Sequence, residues 1–215
     1  MLLTALQHLP RAEMKKVLRL SVAVSVRGLI VGGIGGGTTE GAYSAAAIKI
    51  RERTIKTASE LRKELAGIIP SDDEFEAAFA TARVSRQSLS RYYLNALERQ
   101  EGGVSEPELV PNSDEEQVNL EHVLPKKATP TDWPSFSEEE RSAYVDRLGN
   151  HALMKKTPNG RIGNKSFKVK APELAKSALK LTKEIGSEDD WTPSEIEDRQ
   201  RRLAKLAVLA WKVIF

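Results

Sequence analysis

The chain has 215 residues, of which 33 are Lys or Arg and 30 are Asp or Glu, so its formal net charge is +3. Hydrophobic residues make up 40% and charged residues 29%, which is typical of a folded globular protein and excludes wholesale disorder. The absence of cysteine excludes a disulfide framework, a thiolate zinc site and a cysteine nucleophile, so any metal must have oxygen or imidazole ligands.

The first hundred residues predict a helical domain over 1–100. Apolar residues recur at helical spacing after Pro10, over 43–66 and over 86–99. A further helix is predicted to start at Ser71, because Glu74 lies three residues later and the two form a capping box.

The two interruptions of this helical pattern predict loops. The glycine run at 32–37 lacks the Lys-Ser or Lys-Thr of a Walker phosphate loop, so we interpret it as a flexible loop between helices. The segment 101–113 contains two glycines and two prolines, and we predict a linker there that separates two domains.

The C-terminal half, 114–215, combines short strands with helices. The segments 118–124 and 148–154 are predicted as strands, and Ser137 with Glu140 predicts a capped helix. A helix is expected from about 166, although Pro172 favours a start nearer 171. The segment Thr192-Pro193-Ser194-Glu195 predicts the start of a last helix.

The charges divide sharply along this half. Residues 101–150 hold 4 basic and 12 acidic side chains, whereas residues 151–183 hold 9 basic and 1 acidic side chain. The basic segment could bind a phosphate backbone, or it could be a solvated helix face beside a complementary acidic one.

A membrane span is not expected. The apolar stretch 18–37 contains Arg27 and ends in glycine, and the stretch 203–215 contains Lys205 and Lys212. We therefore expect no membrane contact and a cytoplasmic location. The lack of cysteine agrees with the reducing conditions of the cytoplasm.

Of the three histidines, His122 is the strongest candidate for chemistry. It lies in the segment VNLEHVLP, directly after Glu121. Neutral imidazole accepts a proton from water near pH 7, and a carboxylate binds a hard cation such as Mg²⁺. Adjacent strand residues point to opposite faces, so only a distorted or bulged hairpin would bring both to one metal. A structural histidine remains the alternative, and His8 and His151 are weaker candidates.

Three asparagines follow His122 in the chain. Asn150 lies 28 residues after His122, Asn159 nine residues after Asn150, and Asn164 five residues further on. An amide oxygen can bind Mg²⁺, and an asparagine side chain can brace a loop. Asn159-Gly160 and Gly163-Asn164 also fit ordinary turns, so the residues alone leave both interpretations open.

An ordered set of motifs runs through this half: Glu121-His122-Val123-Leu124-Pro125, Tyr144-x-x-Arg147-Leu148-Gly149-Asn150, Asn159, and Asn164-x-x-Phe167-x-x-Lys170. The set closely resembles the C-terminal nuclease domain of GmrSD-type restriction proteins, a family of HNH, or His-Me finger, endonucleases. Further matching positions are Ser177, Trp191, Ile196, Arg199 and Trp211. The clear resemblance covers about 114–215. A looser one over 70–75 and 91–94 resembles the helical connector of such proteins.

The resemblance implies a mainly α fold with a small β-hairpin, in which a helical domain precedes an HNH-like ββα-metal nuclease domain. It implies a metal-dependent DNA endonuclease or nickase of a modification-dependent restriction or anti-phage defence protein, with Mg²⁺ or Mn²⁺ as cofactor. His122 would be the general base, and Asn150 would brace the hairpin. The metal ligands would be Glu121 and Asn159, with Asn164 as the alternative to Asn159. The DNA contacts would come from Arg161, Lys165, Lys168 and Lys170.

Relatives usually carry an N-terminal nucleotide-binding domain whose motifs are absent here. We therefore expect this domain in another part of a longer protein or in a partner subunit. Two other functions stay open from the sequence. One is a non-catalytic DNA- or protein-binding helical module with a degenerate nuclease fold, and the other, less favoured, is a small-molecule hydrolase that uses His122 and Glu121.

Overall fold

A computed structural model describes residues 1–33, 35–102, 119–154 and 162–213. The described chain divides into two compact units, one formed by residues 1–78 with the C-terminal end from Trp211, and the other by residues 79–210. The predicted boundary lay at the linker 101–113, of which only residues 101 and 102 are described. The units divide earlier because the helix at Gln87–Glu101 buries Tyr93, Leu94 and Leu97 within the second unit.

The first unit is helical. Its helices are α1 (Leu2–His8), α2 (Arg11–Val31), α3 (Gly36–Arg51), α4 (Ala58–Glu64) and most of α5 (Asp72–Phe79), with a 3₁₀ turn at Ala66–Ile68. Their apolar faces meet in one core that includes Val17, Leu20, Ile50, Leu61 and Leu65.

The helix starts follow local capping chemistry. The predicted Ser71–Glu74 box is confirmed, because the Glu74 carboxylate accepts from Ser71 N at 2.8 Å and the Ser71 hydroxyl accepts from Glu74 N at 3.2 Å. The helical pattern over 43–66 is interrupted, because α3 ends at Arg51 and a second capping box at Thr57 starts α4. The glycine run lies only partly between helices, since α2 ends at Val31 and α3 begins at Gly36, so that Gly36 and Gly37 belong to α3.

The second unit combines helices with a two-stranded antiparallel sheet. Its elements are α6 (Gln87–Glu101), β1 (Asn119–His122), α7 (Glu138–Tyr144), a 3₁₀ turn (Leu148–Asn150), β2 (His151–Met154), α8 (Phe167–Ala175), α9 (Lys180–Ile185) and α10 (Pro193–Ala210). Strands β1 and β2 pair with each other. A core beneath them includes Val123, Leu124, Trp133, Phe167, Trp191 and Ile196. The prediction of a mainly helical chain with a small hairpin-like sheet is thus confirmed.

The starts of β2, α8 and α10 can be compared with the predicted ones. Strand β2 begins at His151 rather than Leu148, because residues 148–150 form a 3₁₀ turn. Helix α8 begins at Phe167 and contains Pro172, since burial of Phe167 and Leu174 keeps the segment helical despite the missing N–H. The predicted start of the last helix at Pro193 is confirmed, and Thr192 N donates to the Glu195 carboxylate at 2.9 Å.

Candidate active site

The last residue of β1 and the first residue of β2 are both histidines, and they oppose each other across the sheet. His122 and His151 are Cα partners in the antiparallel register. Their ring centroids lie 4.4 Å apart, with 71° between the ring planes. Opposed cross-strand residues share a face of a sheet, so the two imidazoles belong to one site.

His151 is fully buried and both of its ring nitrogens have partners. Nδ1 lies 2.6 Å from the Ser90 hydroxyl of α6, and Nε2 lies 3.2 Å from the Val145 carbonyl. A carbonyl only accepts, so Nε2 carries the proton and Nδ1 accepts from Ser90. Burial lowers the pKa of His151 to about 3, so the ring is neutral at physiological pH. The sequence ranked His151 as secondary, although pairing of the two predicted strands could have placed it opposite His122.

His122 differs in having a ring nitrogen without a hydrogen-bond partner. Its Nε2 lies 3.7 Å from Oδ1 of Asp146, and both atoms are buried without a hydrogen-bond partner in the described part of the chain. Burial, aided by the charge of Lys126, lowers the pKa of His122 to about 4, although Asp146 acts in the opposite direction. The imidazole is therefore neutral at physiological pH and able to accept a proton.

Asn150 holds the chain that follows His122. Its Oδ1 accepts from Leu124 N at 2.7 Å and from Trp191 Nε1 at 3.1 Å. Its Nδ2 donates to the carbonyls of Leu124 at 2.9 Å and Val145 at 3.0 Å. All the hydrogen-bonding capacity of a fully buried amide is thus used to brace the segment after β1.

Helix α10 supports the same turn from the other side. Gln200 Oε1 accepts from Gly149 N at 3.1 Å and from Arg147 Nε at 2.8 Å. Arg199 Nη1 donates to the carbonyls of Gly149 at 2.6 Å and His151 at 2.9 Å. These contacts fix the backbone where β2 begins. The sequence did not indicate Gln200, because no motif or spacing pointed to it.

Glu121 has a different set of partners from His122. Its carboxylate forms an ion pair with Lys170 of α8 at 2.5 Å, and Lys170 also donates to the His122 carbonyl at 2.9 Å. Burial raises the pKa of Glu121 and lowers the pKa of Lys170, and each charge of the pair opposes the shift of the other. The strand is not distorted enough to bring the Glu121 carboxylate to His122, since its register is regular.

This pairing does not fit two predicted roles. Lys170 is 0% exposed, so its ammonium is not available for the predicted phosphate contact. Glu121 is 5% exposed and already neutralised by a cation, so the structure does not present it as a ligand for a divalent metal. The reason in both cases is that α8 packs its lysine directly onto β1.

The remaining predicted residues lie at the surface or outside the described residues. Asn164, Lys165 and Lys168 are exposed, so the lysines are accessible to a phosphate backbone. Asn159 and Arg161 lie outside the described residues.

The described acidic and imidazole groups converge at one point suited to a metal. Donor atoms of His122, Asp146 and His151 lie within 4.8 Å of one another. Both nitrogens of His151 are engaged, which leaves His122 Nε2 and Asp146 Oδ1 as the donor atoms with free capacity. Asp146 also lies 3.7 Å from Lys126 Nζ, and the sequence had not singled it out.

None of the helices within the described ranges has both the length and the apolar character that crossing a membrane requires.

Comparison with known proteins agrees with the motifs. The model of the family described as GmrSD restriction endonucleases, C-terminal domain, matches residues 69–206. A search of curated proteins gave no match. The matched region begins before α5, next to the looser resemblance, and includes the histidine pair, Asn150 and most of α10. Because this match covers more than half of the chain, the protein belongs to the family of the C-terminal domain of GmrSD restriction endonucleases.

Proposed function

We propose that this protein is a metal-dependent DNA endonuclease or nickase of a modification-dependent restriction or anti-phage defence system, with His122 as the general base. Family membership supports a nuclease that acts on DNA. The observation that carries the proposal is the neutral imidazole of His122, which lies beside Asp146 on a segment braced by Asn150.

The local geometry supports proton transfer from water to His122. A carboxylate near Nε2 favours the tautomer that carries its proton there, which leaves Nδ1 to accept a proton from the attacking water. The 3.7 Å separation between Nε2 and Asp146 Oδ1 is longer than a hydrogen bond. Such contacts often shorten only when substrate binds, so the distance is compatible with an orienting role for Asp146.

We propose that strands β1 and β2 with helix α8 correspond to the ββα unit of HNH nucleases. When bound, a Mg²⁺ or Mn²⁺ ion would stabilise the charge on the phosphorane-like transition state and on the leaving oxygen. Among the described residues, Asp146 fits such an ion best, because a carboxylate has two oxygens, so one can face His122 while the other faces the ion. Asn159 and Asn164 remain proposed oxygen ligands.

The first prediction concerns the base. His122→Ala should reduce plasmid cleavage in the presence of Mg²⁺ by at least about 100-fold, since general-base catalysis typically contributes about 10²–10⁴. Gel analysis of supercoiled, nicked and linear plasmid measures the rate and distinguishes nicking from double-strand cleavage.

His8→Ala is the matched control, because His8 is exposed and lies in the other unit, and circular dichroism checks that both variants fold. Undiminished cutting by folded His122→Ala would remove His122 from the mechanism. If the native chain cuts no plasmid and binds no Mn²⁺ but still binds DNA in a salt-sensitive way, it is instead a non-catalytic binding module.

A further inference from the structure

Lys170 occupies a place in the structure that is built for a cation. Its Nζ lies 2.5 Å from Glu121 Oε1 and 2.9 Å from the carbonyl oxygen of His122. The same atom lies over the ring of Trp133, 5.8 Å from the ring centroid. One carboxylate, one carbonyl and one aromatic face therefore surround a side chain that is 0% exposed.

The protein's own ammonium fills this place. An ammonium has three N–H donors, of which two act on these oxygens, and the aromatic face attracts the same positive charge. A second cation bound to the same carboxylate would lie within a few ångström of Nζ. Two like charges at such a distance repel each other, and a divalent ion doubles that repulsion.

We propose that Lys170 is the resident cation at Glu121 and that it excludes divalent metal ions from this carboxylate. The divalent ion of the proposed nuclease must then have its ligands elsewhere, so the Glu-His motif supplies the base without supplying a metal ligand. This inference rests on the proposed function only where it concerns the catalytic ion. The exclusion itself is a property of the ion pair.

The first test measures Mn²⁺ binding to the whole chain by isothermal titration calorimetry. Glu121→Gln keeps the shape of the side chain and an oxygen for Lys170, but it removes the charge that a metal would need. We expect this variant to bind Mn²⁺ as the native chain does, within about twofold. A loss of tenfold or more in Mn²⁺ affinity would overturn the proposal, because it would show that Glu121 is a metal ligand.

The second test removes the resident cation. Lys170→Met leaves Glu121 buried without its cation. We expect the variant to gain a Mn²⁺ site at Glu121 that binds at least tenfold more tightly than Glu121 does in the native chain. The double variant Lys170→Met/Glu121→Gln should lose that site again. Lys168→Met is the matched control, because Lys168 lies on the same helix and is exposed.

A folded Lys170→Met variant that gains no Mn²⁺ site would overturn the proposal. If the variant does not fold, the result for Glu121→Gln decides the question. Calorimetry reads metal binding without DNA, so an inactive native protein would refute the proposed function and leave this test unaffected.

Discussion

His122 and His151 have the same side chain but different surroundings. His151 is sealed, with both nitrogens bonded, whereas His122 keeps a side chain that is 11% exposed and a nitrogen without a hydrogen bond. A further proton on His151 would break one of its two hydrogen bonds, whereas the His122 ring has no hydrogen bond at Nε2 to lose. His151 therefore serves as support for the ring beside it.

Both histidines should make the stability of the protein depend on pH. The pKa of His122 is lowered to about 4 and that of His151 to about 3, from an ordinary value of 6.5. As the pH falls below 6.5, the unfolded chain binds protons that the folded chain does not. Stability is thus full above pH 6.5 and is lost on acidification until the folded pKa values are reached. We expect the free energy of unfolding to fall by about 2 kcal/mol between pH 7 and pH 5.5.

Urea denaturation at a series of pH values measures this slope. His151→Leu should reduce it by about half. Backbone N–H groups at the helix starts hold the pKa values of the capping carboxylates Glu60 and Glu74 below 4.5, so these groups lose their contribution only at lower pH. An unaltered slope in His151→Leu would contradict the assignment of the pH dependence to the histidine pair.

At the scale of elements, the turn that begins β2 depends on close contact with α10. An added Cβ on Gly149 would lie 2.2 Å from the Ile196 carbonyl oxygen and 2.9 Å from Gln200 Cβ. The turn carries Asn150 and leads directly into His151. The position of both site residues therefore depends on glycine at 149.

Gly149→Ala should destabilise the protein by about 3 kcal/mol, since overpacking against a helix backbone forces the turn away. Thermal unfolding measures the loss. Gly41→Ala in α3 is the matched control, because an added Cβ there meets nothing within 4 Å and alanine favours helix. Equal stability of the two variants would show that the turn can move without cost.

The starts of helices were predictable because capping is local. Ser71 with Glu74, Ser137 with Glu140 and Thr192 with Glu195 each use atoms three residues apart in the chain. The break between α3 and α4 was missed, although Thr57 and Glu60 form the same motif, because apolar periodicity continues through it. Asn150 could be placed as a brace through the family resemblance, whereas its partners Val145 and Trp191 could not.

At the scale of the whole molecule, the distribution of basic side chains decides which of them are accessible to a nucleic acid. The basic segment 151–183 retains exposed lysines at 165 and 168, while Lys170 is withdrawn into the core. On the proposed function, the exposed lysines contact phosphates and the buried one does not. The composition of the segment alone makes no such distinction.

The double variant Lys165→Ala/Lys168→Ala should weaken DNA binding and reduce the slope of log affinity against log salt concentration by about 1.8, since each phosphate contact contributes about 0.9. Fluorescence anisotropy with a duplex at several salt concentrations measures both quantities. Lys56→Ala/Lys63→Ala removes the same charge from exposed positions of the other unit. Equal slopes for the two variants would show that Lys165 and Lys168 act only through the net charge of the protein and not through phosphate contacts.

The sequence by itself determined the helical character, the two short strands, several helix starts and the family, because these depend on capping, periodicity and motif order within the chain. Only the tertiary structure decided which groups meet. Ser90 reaches His151 from 61 residues away and Lys170 reaches Glu121 from 49 residues away. Such pairings depend on how helices pack on the sheet, and burial then sets the charge state of each group.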